Sequence, residues 1–243
     1  MKIALLADIH GNDHALEAVL ADIADQSADR IVVLGDLVFK GPRPEECVKA
    51  IQRLHAQVIR GNIDELVGLG RIQEGFAKSE SHAQALLTEM EWTRGRLSKS
   101  ELAYLAELPF SLEMELMDGH MLHCVHATPQ NVLDIVPMDA KAQQLERMFV
   151  NERASIVAYA HIHYPYVKFW NGKTIVNTGS VGLPFDGDPR ASYALIETLG
   201  DKSSITIRRV KYDIEAAVKA YHKSGHPYAD SVIAALKAGR PPM

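Results

Sequence analysis

Polar side chains able to bind metals follow short apolar runs at several points along this chain, and this arrangement constrains the fold more than any other feature. Each run has the length and apolar character of a buried strand, and each is closely followed by aspartate, asparagine or histidine. The polar segments are Asp8-Ile9-His10, Gly35-Asp36, Gly61-Asn62, His126 and His161-Ile162-His163. Because ligands of open α/β sheets bind where loops converge at the carboxyl ends of strands, we expect these side chains to meet.

The first half of the chain alternates strand-like runs with amphipathic stretches, which predicts a sheet covered by helices. Strands are predicted at Lys2–Ala7, Ile31–Leu34 and Val58–Ile59. Between residues 63 and 108 the strand signal disappears, and this segment is predicted to be a helical insert or cap. Because the sequence shows no internal repeat and no low-complexity linker, residues 1–243 are predicted to form one α/β domain that contains the insert.

Strand-like runs return after Pro109. They lie at Ser111–Met117, Met121–Val125, Ile156–Ala160, Tyr166–Trp170, Thr174–Val176, Tyr193–Ile196 and Ser204–Val210. The dipeptide Asn171-Gly172 predicts a two-residue hairpin turn. Local helix signals are Asn12 as an N-cap, Pro44 in a first turn, and Ser98 with Glu101 as a capping box.

Charge and cysteine content exclude several classes of protein. With 26 basic and 31 acidic side chains among 243 residues, the formal net charge is −5, which disfavours a stable complex with nucleic acid. Cys47 and Cys124 lie far apart without CxxC spacing, so neither a disulfide framework nor a cysteine zinc site is predicted. The N-terminal apolar run is interrupted by Asp8, too early for a signal peptide or a membrane span. We expect a cytoplasmic protein without membrane contact.

The donor atoms that follow the strands indicate the chemistry. Four histidines, two aspartates and one asparagine offer nitrogen and oxygen without thiolate, and this set favours divalent ions of hard or borderline character. A Gly-Asp or Gly-Asn dipeptide alone is more often a turn, and a lone histidine more often lies at the surface. Together, in the order Asp-x-His, Gly-Asp, Gly-Asn, His and His-x-His, the segments predict a dinuclear metal site.

This order of motifs resembles the calcineurin-like metallophosphoesterase superfamily. The matching segments are Asp8-Ile9-His10-Gly11-Asn12, Gly35-Asp36, Gly61-Asn62-Ile63-Asp64, His126-Ala127-Thr128-Pro129, His161-Ile162-His163 and Asn177-Thr178-Gly179-Ser180-Val181-Gly182-Leu183-Pro184. The last segment is similar to the small bacterial and archaeal phosphodiesterase branch. The resemblance implies a four-layer sandwich of two mixed β-sheets flanked by helices, here with a helical insert.

The resemblance also implies how two divalent ions are held. The first ion is assigned to Asp8, His10, Asp36 and His163, and the second to Asp36, Asn62, His126 and His161. Two ions about 3.5–4 Å apart need an anionic bridge, a role suited to the Asp36 carboxylate. A metal-bridging hydroxide is expected to attack phosphorus, with Asp36, Asn62 and His126 as the catalytic set. Manganese is the first choice of ion, and iron, zinc, cobalt, nickel and magnesium are left open.

The expected activity is metal-dependent hydrolysis of phosphodiesters or nucleotide phosphoanhydrides, with a small phosphate ester or nucleotide as partner. A phosphomonoesterase or protein phosphatase is the alternative within the enzyme class. A binding scaffold that has lost catalysis is a second alternative, but such scaffolds usually lack some metal ligands, whereas all seven are present here. The His-x-His motif alone also suggests an amidohydrolase, in which that motif lies near the start of the chain.

The chain departs from the superfamily pattern at Ile63, where histidine commonly follows Gly-Asn. Ile63 can neither protonate a leaving group nor stabilise negative charge, so another general acid or a good leaving group is required. His14 and His123 are open alternatives for the acid. Substrate contacts are predicted for Arg60 and Arg43, whose guanidinium groups suit phosphate, and for Asn12, which is equally suited to helix capping.

Overall fold

Ten strands form two mixed five-stranded sheets in the computed structural model, which describes residues 1–117, 119–150, 153–200 and 202–241. The strands are β1 (Lys2–Leu6), β2 (Arg30–Val33), β3 (Gln57–Val58), β4 (Ser111–Met117), β5 (His120–Val125), β6 (Ala154–Tyr159), β7 (Tyr166–Trp170), β8 (Lys173–Asn177), β9 (Ala191–Leu199) and β10 (Lys202–Val210). The first sheet has the order β10-β9-β1-β2-β3, with β1, β2 and β3 parallel. The second has the order β4-β5-β6-β8-β7, with β5, β6 and β8 parallel.

Helices cover the outer faces of both sheets. They are α1 (Asp13–Asp25), α2 (Pro44–Arg53), α3 (Asn62–Leu69), α4 (Glu80–Arg94), α5 (Lys99–Glu107), α6 (Ala142–Met148), α7 (Ile214–Ser224) and α8 (Ala229–Ala238). The predicted capping box is confirmed, because Ser98 Oγ accepts the N–H of Glu101 while the Glu101 carboxylate accepts the N–H of Ser98. No helix in the described part of the chain is long and apolar enough to cross a membrane.

The first strand illustrates how the layers are built, since its alternating side chains enter two different cores. Ile3, Leu5 and Ala7 lie in the core between the two sheets, whereas Ala4 and Leu6 face the core beneath α1 and α2. A third core packs α6 against the opposite face of the second sheet. Both faces of each sheet are therefore covered, and the predicted four-layer sandwich is confirmed.

The helices of the predicted insert pack into the same core as α1 and α2. Their buried side chains, among them Leu66 of α3, Met90 of α4 and Leu105 of α5, lie in the core beneath the first sheet. Within α4, the buried Glu89 carboxylate is 2.6 Å from Lys40 Nζ and 3.0 Å from His226 Nε2. These contacts tie the insert to the loop after β2 and to the segment before α8.

The hairpin between β7 and β8 follows the sequence prediction. Asn171 and Gly172 both have positive φ, 49° and 73°, as a type I′ turn requires. Most other predicted strands differ from the observed ones by one to three residues at their ends. The helix α6 was not predicted.

Candidate metal centre

The seven predicted metal ligands lie at the carboxyl ends of parallel strands in both sheets. Asp8 and His10 follow β1, Asp36 follows β2, and Asn62 opens α3 after β3. In the second sheet His126 follows β5, and His161 and His163 follow β6. Main-chain hydrogen bonds join the loops: the N–H of Asp8 donates to Gly35 O at 3.0 Å, and the N–H of Ala160 donates to His126 O at 2.9 Å. The edge predicted from the sequence is where these loops meet.

Six of these side chains form two adjacent groups of donor atoms. Asp8, His10 and His163 make up one group, and Asp36, His126 and His161 make up the other; within each, the donor atoms lie within 4.8 Å of one another. In the first group His163 Nε2 is 3.6 Å from Asp8 Oδ1 and 3.1 Å from His10 Nε2. Each group has the size and composition of a cation site.

The carboxylate of Asp36 belongs to the second group and also lies close to the first. Its Oδ2 atom is 3.5 Å from His126 Nε2 in one group and 3.9 Å from His10 Nε2 in the other. Its Oδ1 atom accepts the main-chain N–H of Ile63 at 2.9 Å, which fixes the plane of the carboxylate. Asn62 supplies the seventh donor, since its Oδ1 lies 2.9 Å from His126 Nε2.

Backbone carbonyls orient two of the imidazole rings. The Nδ1 atom of His126 is 2.7 Å from Leu34 O, and the Nδ1 atom of His163 is 2.5 Å from Leu183 O. Because a carbonyl oxygen can only accept, Nδ1 carries a proton in each ring. In the neutral ring Nε2 is then left with its lone pair toward the cluster, the tautomer that a metal ligand requires.

Five of the seven predicted ligands adopt the left-handed backbone conformation. They are Asp8, His10, Asp36, His161 and His163, with φ between 49° and 65°. This conformation costs a residue with a β-carbon about 1–2 kcal/mol, and such strain is typical of functional sites. Around Asp8 it is held by two donors to the same carbonyl oxygen, Ser180 Oγ at 2.7 Å and Gly182 N at 2.9 Å.

The carboxylate of Asp8 shows that the cluster fits a cation. Asp8 is fully buried, and its Oδ1 atom has no hydrogen-bond partner among the described residues. Burial, reinforced by the nearby Asp36 carboxylate, raises the pKa of Asp8 well above its ordinary value. Burial also opposes ionisation of Asp36, but the His126 imidazole outweighs it and holds the pKa of Asp36 below its ordinary value. A bound divalent ion would neutralise both carboxylates where they stand.

The histidines are divided between one charged and three neutral rings. Burial alone would lower the pKa of His126, yet the adjoining Asp36 carboxylate raises it to about 9. Burial lowers the pKa of His161 to about 4, and it lowers the pKa values of His163 and His10 as well. Three of the four imidazoles are therefore neutral at pH 7, the form in which histidine binds metals.

Asp64 is a functional residue that sequence reasoning did not single out. It is fully buried, and its carboxylate accepts three main-chain N–H groups, from Asp36 at 2.7 Å, Leu37 at 2.9 Å and Gly61 at 2.9 Å. Burial and then the Asp36 charge raise the pKa of Asp64 to about 7 despite these donors. Its signal in the sequence is a carboxylate two residues after Asn62, at the third position of a helix, where it looks like an ordinary cap.

Comparison with known proteins decides the family. The model of the calcineurin-like phosphoesterase superfamily domain matches residues 1–201. The chain belongs to this superfamily. The uncharacterized protein MJ0912 of Methanocaldococcus jannaschii is 32% identical over 242 residues, covering 91% of this chain and 90% of that protein. The phosphodiesterase YfcE of Escherichia coli is 26% identical over 81% of this chain and 88% of its own length.

A solved metallophosphoesterase from Sphaerobacter thermophilus has the same fold. It superposes with a TM-score of 0.76 at 30% identity, covering 98% of this chain and 99% of that one. Membership of the calcineurin-like superfamily confirms the predicted family and the class of enzyme, a metal-dependent phosphoester hydrolase. Among the described residues, the two donor groups are candidates for holding a metal ion in this superfamily member.

Helix capping, one of the two roles predicted for Asn12, is observed. Asn12 is fully buried, and its Oδ1 atom accepts the N–H of Ala15 at the start of α1. Its Nδ2 atom donates to Gly182 O at 3.0 Å and contacts the Tyr212 hydroxyl at 3.4 Å. A substrate contact for Asn12 stays a prediction.

The two predicted phosphate-binding arginines are held by carboxylates in this superfamily member. Arg43 Nη1 is 2.7 Å from the Asp13 carboxylate, and Arg60 Nε is 3.4 Å from the Glu65 carboxylate. Both guanidinium groups are partly exposed, and a phosphate contact for either stays a prediction. The side chain of Ile63 packs into the core beneath the first sheet, so position 63 contributes only its main-chain N–H to the centre.

Proposed function

We propose that this chain hydrolyses phosphodiesters or nucleotide phosphoanhydrides with two divalent ions held by its seven predicted ligands. The observation that carries the proposal is the position of Asp36 Oδ2, which faces His126 of one donor group and His10 of the other. A carboxylate shared in this way is what a two-ion site requires of the protein.

The donor sets support one ion beside Asp8, His10, Asp36 and His163, and another beside Asp36, Asn62, His126 and His161. The mixture of nitrogen and oxygen donors supports manganese first, with iron, zinc, cobalt, nickel or magnesium as alternatives. When bound, such a pair supplies an activated water as nucleophile and positive charge for the phosphate oxygens.

The protein's own residues hold these groups in place and limit their protonation. Asp64 and the N–H of Ile63 fix the Asp36 loop, and the carbonyls of Leu34 and Leu183 set the tautomers of His126 and His163. Because the Ile63 side chain lies in the core, position 63 offers no proton to the leaving group. This favours substrates whose leaving group departs as a stable anion, and the named activity of the relative YfcE supports phosphodiesters among them.

The same proposal includes a small substrate and a cytoplasmic location. The net charge of −5 supports a small phosphoester or nucleotide over a nucleic-acid complex, since positive charge would be confined to the centre.

The test measures metal content and turnover together. Purified protein supplied with Mn²⁺ should hydrolyse bis-p-nitrophenyl phosphate, whereas Asp36→Asn should lose bound metal and activity in parallel. Asp25→Asn, an exposed change at the end of α1, serves as the matched control and should behave as wild type. Absence of metal-dependent turnover across phosphodiesters, phosphomonoesters and nucleotide anhydrides would reject the proposal and favour a binding scaffold. Retention of both metal and activity in Asp36→Asn would reject the bridging role.

A further inference from the structure

An apolar groove of about 590 Å³ opens beside the candidate metal centre. His161 lines the groove, and the ring of the same residue packs edge-on against His126 at 5.2 Å between centroids. Phe185 also lines the groove and stacks on His163 with centroids 4.3 Å apart and planes inclined by 19°. The groove and the candidate centre therefore share His161 and are in contact through Phe185.

The outer wall of the groove is a well-anchored loop whose apolar side chains are nevertheless exposed. Ile135 and Met138 are 60% and 61% exposed, whereas Val136 between them is buried and its carbonyl accepts the Tyr159 hydroxyl at 2.6 Å. The carbonyl of Met138 accepts Lys168 Nζ at 2.9 Å. The exposure of Ile135 and Met138 is thus fixed by the fold, which leaves an apolar surface in the groove.

The remaining lining indicates what kind of group the groove can hold. Tyr164, 46% exposed, and Phe185 contribute aromatic rings to the lining. Among the lining residues that the structure describes, Lys78 and Asp139 are the charged ones, and their charges cancel. A polyphosphate chain would find no excess of positive charge there, whereas a flat uncharged group could stack and displace water.

We propose that this groove binds the ester group that stays on phosphorus when that group is uncharged and planar, such as an aryl group or a nucleoside with its base, while the phosphate of the substrate lies at the metal centre. The inference rests on the proposed function and narrows it to diesters that carry one such group. A volume of about 590 Å³ falls in the range of about 300–1,000 Å³ typical of sites for small organic ligands.

The first experiment compares two diesters with the same leaving group. Phenyl p-nitrophenyl phosphate and methyl p-nitrophenyl phosphate both release p-nitrophenolate, so their kcat/KM ratio with the Mn²⁺-loaded enzyme reports on the group that stays. The ratio should exceed about tenfold in favour of the phenyl ester, because the ring is removed from water. Ile135→Ser and Tyr164→Ala should each lower this ratio by about threefold or more.

The control variant is Phe169→Ala, an 81% exposed aromatic on β7 that does not line the groove; its ratio should equal that of wild type. A ratio near one in wild type, or one that Ile135→Ser and Tyr164→Ala leave unchanged, overturns the inference. If Ile135→Ser instead changes the sedimentation mass and leaves the ratio intact, the groove is a contact between copies of the chain, and the inference is equally wrong.

A binding measurement separates this inference from the proposed function. Calorimetric titration of the Mn²⁺-loaded protein should show phenylphosphonate binding at least about tenfold more tightly than methylphosphonate, an anion of the same charge. If both diesters are hydrolysed but the two phosphonates bind with equal affinity, the groove inference is rejected and the proposed function stands. No turnover and no binding of either phosphonate rejects the proposed function, and the groove inference with it.

Discussion

The carboxylate of Asp64 accepts the main-chain N–H of Asp36 at 2.7 Å, so one buried acid holds the backbone of the other. The same carboxylate also accepts the N–H groups of Leu37 and Gly61. The loops after β2 and β3 are therefore joined through a single side chain, which also holds the main chain of Asp36 in position.

Replacing Asp64 with asparagine should weaken metal binding about 10- to 100-fold, as loss of a group supporting a ligand typically does. The amide has one accepting oxygen, and its NH₂ group would face main-chain donors that the carboxylate now satisfies. Calorimetric titration with Mn²⁺ measures the effect, and Asp230→Asn, an exposed change in the first turn of α8, is the control. Unchanged affinity in Asp64→Asn would show that the Asp36 loop is held by other contacts.

Gly61→Ala should also disturb Asp36, by crowding. A β-carbon at Gly61 would lie 2.0 Å from Asp36 Oδ1 and 2.6 Å from Asp36 N, so the loop must shift. We expect a loss of about 1–3 kcal/mol in unfolding free energy in urea, together with weaker Mn²⁺ binding. Gly95→Ala is the matched control, since Gly95 has φ of −64° and a β-carbon there would lie 3.3 Å from its nearest neighbour, Glu91 O. Equal stability of the two variants would contradict the expected crowding.

Glu89→Gln should destabilise the protein in a pH-dependent way. Burial opposes ionisation of Glu89, but the hydrogen bond with His226 and the charge of Lys40 hold its pKa below the ordinary 4.5. A carboxyl group whose pKa is lower in the folded than in the unfolded protein stabilises the fold at pH values above its unfolded-state pKa. This contribution is lost as the pH falls through the folded-state pKa. Near pH 7 we expect Glu89→Gln to lose about 2 kcal/mol in urea unfolding, with the difference from wild type narrowing below about pH 4.5.

The control for that experiment is Glu91→Gln, an exposed change in the same helix. It should stay within about 0.5 kcal/mol of wild type at either pH. A difference between wild type and Glu89→Gln that is constant from pH 7 to pH 4 would mean that the Glu89 charge does not contribute.

Removing divalent ions should lower the melting temperature. The carboxyl groups of Asp8 and Asp36 are buried close together, so a cation between them would relieve their repulsion. An ion that binds only the folded protein stabilises it by about 2.7 kcal/mol at a concentration one hundred times its Kd. For a chain of this length, a stabilisation of that size raises the melting temperature by about 5–10 °C when Mn²⁺ is returned to chelator-treated protein. Calorimetry measures the shift, and Asp8→Ala should lose most of it. An unchanged melting temperature at saturating Mn²⁺ would exclude binding at this cluster.

The parts of the fold that could be predicted were those encoded by neighbouring residues. The capping box of Ser98 and Glu101 and the turn at Asn171-Gly172 depend on a few adjacent side chains, and both formed as predicted. Helix α6 was missed because Ala142–Met148 is short and mostly polar, with only Leu145 and Met148 buried. The sequence left the segment 63–108 as an insert or a cap, because a sequence does not show that Leu66 and Leu105 share a core with α1.

The features of the candidate site can likewise be divided into those that the sequence predicted and those that it did not. The meeting of the seven predicted donors could be foreseen because they follow five strands and because parallel strands bring their carboxyl ends together. The supporting contacts could not be foreseen, since Asp64 reaches Asp36 across 28 positions of sequence and the His163 ring meets Phe185 across another gap. For Asn12 the sequence left two roles open, and the structure shows the capping hydrogen bond to Ala15, which depends on adjacent residues.

The left-handed backbone of five predicted ligand residues means that protein stability and the proposed metal binding make opposite demands at those positions. A glycine at any of these positions would relieve the local steric conflict, yet it would delete a donor atom; the positions are Asp8, His10, Asp36, His161 and His163. Optimising this chain for stability alone would therefore tend to erase the centre, a trade-off common where function depends on strained residues. Engineering for heat resistance should leave these five positions fixed and seek its gains in the helices and the surface loops.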